Sequence, residues 1–347
     1  MSRGVSSGDD PGEEFPPAAA GSNEDAFIAR LFAPIATDPA ALGLRDDAAL
    51  LTPPPGTRIV LTKDALVAGV HFFADDPPAS IARKAMRVNV SDLAAKGAVP
   101  LGALLAIAVP PDVSQDWLTA FAEGLGADCR RYGCPLLGGD TVRTPGPLTL
   151  SVTALGAVPA EGFVARTRAG PDQAIVVTGT IGDAALGLAL RLDPTRAAWT
   201  ALSPQERDHL RDRYLHPQPR LEAAAALRAS AAAAMDISDG LAGDVAKMLS
   251  SSGVGGCLRR AEVPLSPAAR AAVTRDPALW EIILSGGDDY EIAACIPLDR
   301  LEAFLSALNA VGLPASVIGE TQREPGLRVL DARGCAVHLP RLSFSHM

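Results

Sequence analysis

Very little in this sequence invites metal–sulfur or redox chemistry. Only five of its 347 residues are cysteine (Cys129, Cys134, Cys257, Cys295 and Cys335), with no Cys-x-x-Cys pair and no histidine at zinc-ligand spacing. That scatter excludes a zinc ribbon or a disulfide framework and reads as reduced thiols in the core of a cytoplasmic protein. A basic surplus is missing too. The formal net charge is −9, which argues against nonspecific binding to nucleic acid or to an anionic membrane, since both require a basic surface. The longest apolar run, around residues 101–110, falls far short of the ~20 residues of a spanning helix, and the N-terminus lacks a basic-then-apolar signal pattern. No Gly-x-x-x-x-Gly-Lys-Ser/Thr loop and no His-Arg-Asp signature occurs, which disfavours the common nucleotide-binding folds.

What is present fits a compact enzyme. A 347-residue chain with 48% hydrophobic and 20% charged residues exceeds the size of one core and predicts two domains. Residues 1–23, rich in Gly, Ser, Pro and acids, bury too little apolar surface to offset ordering entropy and read as a disordered tail. The first domain is expected over 24–160. There FIARLFAPI has helical spacing, RIVLT reads as a strand ending on Lys63 and Asp64, and residues 80–96 read as a helix. A strand near 101–110, a helix near 114–131, a PLL strand entering Gly138, Gly139 and Asp140, and the alternating LTLSVTALGAV follow. A polar stretch at 156–170 separates this from a second domain over 161–347, with AIVVTGTIGDAALGL as strand, turn and helix. An alanine-rich helix near 221–233, a short strand into MDISDGL, a helix near 241–251, the strand YEIAACIP and the helix LEAFLSALNAVG complete it. The alternation points to α/β layering.

Six acidic motifs recur beside small or hydroxyl residues at the ends of apolar segments: Asp46 with Asp47, Asp64, Asp92, Asp140, Asp236 with Asp239, and Asp288 with Asp289. Any one of them could be a turn or helix cap. If they converge, like charges about 4 Å apart repel by ~4 kcal/mol at an effective dielectric of 20, so convergence implies a cation. Oxygen ligands alone select hard ions such as Mg²⁺, which a few carboxylates hold together with substrate phosphates. The Gly179 segment GTIGDAALGL is either a phosphate cradle at a helix N-terminus or simple packing.

In this order, GLRDDAALL, KDALVAGVHF, VNVSDLAAKGAVP, GGDTVR, VTGTIGDAALGL, MDISDGL and LSGGDDYE resemble thiamine-monophosphate kinases, within the superfamily of aminoimidazole ribonucleotide synthetase. The resemblance implies a two-domain α/β fold: an N-terminal α/β domain whose sheet forms a homodimer, a C-terminal α/β domain, and an ATP cleft between them. It implies ATP-dependent phosphorylation of thiamine monophosphate to thiamine diphosphate, with several Mg²⁺ ions and ATP as co-substrate, in a cytoplasmic enzyme of thiamine diphosphate biosynthesis.

By the same resemblance Asp47, Thr62, Asp64, Asp92, Asp140, Asp236 and Asp239 match metal-holding positions, and Lys63 joins them through its place beside Asp64. Gly139, Asp140, Arg168 and Ser238 match nucleotide contacts, while His71, Asp288 and Phe344 match contacts to the thiamine phosphate. No acid–base or nucleophilic residue is implied. Three positions depart from the family pattern: Arg45 stands for a glycine, Lys63 for a hydroxyl residue, and Asp288 for a glutamate. Lys63 either points its charge into the cleft or is turned away from Asp64 by strand alternation. Other ATP-using members of the superfamily, such as a purine-pathway synthetase or a selenophosphate synthetase, are the rival readings, with a silent nucleotide sensor as the non-enzymatic one.

Overall fold

A computed structural model describes residues 23–343. The sequence-read tail up to residue 22, and Phe344, lie outside the described residues. Helix α1 (Asn23–Leu31) opens the chain, followed by β1 (Thr57–Val67), α2 (Pro78–Ala95), β2 (Val99–Val109), α3 (Gln115–Tyr132), β3 (Leu136–Arg143) and β4 (Thr149–Pro159). The four strands form one sheet in the order β1-β4-β2-β3, antiparallel except for the β2–β3 pair. Proline in its first turn suits the start of α2, because that N–H would find no partner within the helix. At α3 the Ser114 hydroxyl accepts from the Trp117 amide at 3.1 Å, and Gly133 ends the helix at φ +58°.

The second unit contains β5 (Gln173–Thr178), α4 (Asp183–Leu192), α5 (Pro204–Leu215), α6 (Ala224–Ser230), β6 (Ala233–Asp236), α7 (Leu241–Ser251) and β7 (Gly255–Arg259). It continues through α8 (Pro267–Arg275), α9 (Leu279–Ser285), β8 (Ile292–Pro297), α10 (Leu301–Ala310), β9 (Ala315–Gln322) and β10 (Gly326–Leu330). Its six strands run β10-β7-β9-β5-β8-β6, with only β10 and β7 parallel. We take the division between the units to fall near residue 160.

Each unit has its own core, one around Phe121, Leu125, Ile107 and Leu150, the other around Trp199, Ile175, Leu241 and Ile283. A third cluster joins Ala94 and Ala95 of α2 to Val176 and Phe304 of the second unit. Each fully buried phenylalanine contributes about 2–3 kcal/mol. Helix α2 is the shared element: fourteen of its 18 residues are buried, because it covers β1 and β4 while also meeting β6 and α6.

Several expectations are corrected. β1 does not stop at Asp64 but continues to Val67, and β3 runs through Gly139 and Asp140 to Arg143. The alanine-rich helix is only seven residues long, since Ala233 already pairs with Cys295 on β8. Helices α5, α8 and α9 and strands β7, β9 and β10 have no counterpart in the sequence reading. Four cysteines are buried as expected, whereas Cys335 is exposed. Among the described residues no helix is long and apolar enough to cross a membrane.

Candidate active site

Strand β1, helix α2 and the two Asp-rich loops of the second unit meet along one cleft. Alternation on β1 turns Thr62 and Asp64 toward α2, where the Thr62 hydroxyl donates to the Asp92 carboxylate and the Asp64 amide donates to Asn89 Oδ1 at 3.0 Å. One residue before Asp92, Ser91 Oγ donates to Asp236 Oδ2 at 2.7 Å. Asp236 ends β6, and the loop after it carries Ser238 and Asp239, whose amides donate to Asp244 Oδ2 at 3.0 and 2.8 Å. Lys247 forms ion pairs with Asp239 and Asp244.

Asp64 and Asp236 are short of counter-charge. Burial, then Asp92 and Asp239, push the Asp64 carboxyl up to about 6. Burial, reinforced by Asp92, holds Asp236 well above the ordinary carboxylate range. The half-buried Lys96, which donates to the Ala234 carbonyl at 2.8 Å, opposes that shift. Among the described residues no three His, Cys, Asp or Glu side chains form a group able to hold a metal ion unaided. The donor chemistry still fits Mg²⁺: oxygen atoms only, lacking positive charge, of the kind that one or two carboxylates present while phosphates complete the shell.

Asp64, Ser238 and Asp239 also line a cavity of about 440 Å³, together with His71, Lys84 and Asp288. His71 Nδ1 accepts from the Val67 amide at 3.0 Å, so the neutral ring carries its proton on Nε2. Asp288 sits in the left-handed region at φ +73°, as does Tyr290 at φ +51°, conformations that cost non-glycine residues about 1–2 kcal/mol. The loop is nevertheless fixed. Asp288 and Tyr290 donate through their amides to Ser238 and Ile237 carbonyls at 2.9 and 2.8 Å, and a Cβ on Gly287 would stand 2.2 Å from the Ser238 oxygen. The alternate residues turn inward. Asp289 takes the Gly182 amide on both oxygens at 3.0 and 2.8 Å, while Glu291 meets Arg220 Nε at 2.7 Å, Arg213 at 3.3 Å and the Thr178 hydroxyl at 2.8 Å. At the rim, the Arg191 guanidinium lies 3.8 Å over the Phe73 ring and bonds Asp75 at 2.6 Å.

The six acidic motifs do not all converge. Asp140 pairs with Ala106 on the open face of the first sheet, at the opposite edge from β1, and lines a separate cavity of about 680 Å³ with Asp47, Gly139 and Lys63. Lys63 pairs with Thr153 and is exposed on that face, turned away from Thr62 and Asp64. Arg168 is exposed between β4 and β5. In GTIGDAALGL the open choice falls to packing: Gly179 donates to Pro314, Ile181 to Pro264 and Gly182 to Asp289, so these amides already have partners. The Asp289 carboxyl caps the start of α4, where burial holds its pKa well above the ordinary carboxylate range.

Comparison with known proteins decides the kinship. Residues 45–158 match AIR synthase related protein, N-terminal domain, and residues 170–332 match the corresponding C-terminal domain. The chain is 41% identical over 334 residues to a thiamine-monophosphate kinase of Caulobacter vibrioides, covering 95% of this chain and 92% of that one. The chain belongs to the thiamine-monophosphate kinase family. The crystal structure of thiamine-monophosphate kinase from Stenotrophomonas maltophilia K279a superposes with a TM-score of 0.80 at 38% identity, over 91% of this chain and 98% of that one. AaThiL complexed with AMPPCP and TMP superposes with a TM-score of 0.74 at 29% identity, over 85% of this chain and 89% of that one. For a member of this family, the supporting residues Lys84, Asn89, Ser91, Lys96 and Asp244 are the part that motif reading overlooked. Their only sequence signal is polarity inside otherwise apolar helical stretches.

Proposed function

We propose that this chain transfers the γ-phosphoryl group of ATP to the phosphate of thiamine monophosphate, giving thiamine diphosphate by direct in-line transfer with Mg²⁺. The observation that carries this reading is the sharing of one cavity by two sets of groups. Asp64, Ser238 and Asp239, matched to metal and nucleotide, face the same space as His71 and Asp288, matched to the acceptor. Kinship with thiamine-monophosphate kinases and the fold shared with AaThiL complexed with AMPPCP and TMP support it.

The acceptor oxygen is already anionic, so no general base is needed; positioning and charge neutralisation carry the rate. Asp64, Asp92, Asp236 and Asp239, with Thr62, would hold Mg²⁺, which would supply positive charge against that of the phosphates. His71 would donate to the acceptor phosphate, and Phe344 would stack on the heteroaromatic part of thiamine monophosphate. We assign Asp47 and Asp140 to metal, and Gly139, Asp140, Arg168 and Ser238 to nucleotide, the roles that the family resemblance implies. We further propose a cytoplasmic homodimer formed through the open sheet face, where Leu61, Leu104 and Val142 are exposed.

An assay of ADP formation tests the reading. Thiamine monophosphate is expected to support turnover, and free thiamine and aminoimidazole precursors are not. Equal turnover of thiamine and its monophosphate overturns the assignment, and a phosphorylated enzyme intermediate overturns direct transfer.

A further inference from the structure

A single buried ammonium holds His71 and Asp288, two of the residues assigned to the acceptor. Lys84, on α2, is 3% exposed, and its Nζ donates to Asp288 Oδ2 at 2.8 Å and to the His71 carbonyl at 3.1 Å. The same ammonium lies 4.1 Å from the centre of the Tyr214 ring on α5. His71 belongs to the segment after β1 and Asp288 to the loop before β8, so Lys84 ties the two units together across the acceptor cavity that it lines.

We propose that Lys84 is a positioning residue for the acceptor: it fixes the gap between His71 and Asp288 and balances the Asp288 charge that an incoming phosphate would otherwise meet. This rests on the phosphoryl-transfer reading above. A carboxylate held at φ +73° needs a partner that over-determines its place, and a lysine with carboxylate, carbonyl and ring about its ammonium supplies one. The stem of Lys84 is enclosed and its three N–H directions have these acceptors, so the residue orients other groups rather than binding the substrate. Without it, Asp288 would face the acceptor phosphate as an uncompensated negative charge at the cavity wall.

The test is steady-state kinetics of wild type, Lys84→Met and Lys84→Arg in the full chain, with thiamine monophosphate and ATP varied separately, together with melting temperatures. Lys84→Met is expected to raise the KM for thiamine monophosphate about tenfold or more while leaving the KM for ATP within about twofold. Lys84→Arg, which keeps the charge, is expected to recover part of that loss. Should Lys84→Met melt too low to assay, Lys84→Arg alone decides, by moving the acceptor KM but not the ATP KM. An unchanged acceptor KM, or equal changes for both substrates, overturns the inference. Absence of turnover in wild type would instead count against the phosphoryl-transfer reading on which it rests.

Discussion

Ser91 Oγ donates to Asp236 Oδ2 at 2.7 Å, and both side chains are buried. The bond joins α2 of the first unit to the end of β6 in the second, beside the pair formed by Thr62 and Asp92. Ser91→Ala leaves Asp236 with one donor fewer in a site that already disfavours its charge. A loss of about 1–2 kcal/mol is expected, read as a lower urea midpoint at unchanged slope. Stability equal to wild type would mean that water replaces the hydroxyl.

Asp64 gives the metal-free protein a pH signature. Its carboxyl titrates near 3.8 when unfolded and at about 6 when folded. Below 3.8 it is protonated in both states and costs nothing. As pH rises through the interval to 6 the unfolded chain ionises first, so stability is lost there and stays lost above. In EDTA, Asp64→Asn is therefore expected to melt higher than wild type at pH 7 but not at pH 4, while losing activity. Mg²⁺ with an ATP analogue is expected to raise the wild-type melting temperature at pH 7, by linkage, and to leave Asp64→Asn little changed.

The open-face position of Lys63 predicts a null effect. Lys63→Met and Lys63→Thr are each expected to reach half-maximal activity at the wild-type concentration of free Mg²⁺. A shift in either titration would return its ammonium to the surroundings of the ion.

Glu291 is fully buried and depends on Arg220, with Arg213 as a longer second contact. Arg220→Met leaves a carboxylate stranded in the core and is expected to cost about 3 kcal/mol in urea unfolding. The double variant Arg220→Met with Glu291→Gln is expected to recover part of that cost, because it removes the stranded charge. Additive losses would show that the pair is not coupled.

Apolar periodicity was enough to read α2, α3, β2 and β4, because each has a long stretch facing a core. It failed at β7, where Gly255 and Gly256 carry no side chain to signal a strand. A Cβ at Gly255 would lie 1.9 Å from the Glu324 oxygen, so close backbone approach selects the residue. The acidic motifs marked Asp64, Asp92 and Asp236 correctly as neighbours, but not the face occupied by Asp140. That face follows from the register pairing Asp140 with Ala106, and one-residue slips invert faces. Lys84 was invisible for another reason: a lysine within RKAMRV reads as a solvated helix position, and its partner Asp288 lies 204 residues away.

Helix α2, covered on both flanks, constrains substrate traffic. Swinging the two units apart like jaws would bare Ala94, Ala95 and the facing side chains of the second unit to water, at about 25 cal/mol per Å² of apolar surface. It would also strip the buried Ser91 and Lys84 of their partners across the seam. Any exchange of ligands at the cavity must therefore leave that seam in place.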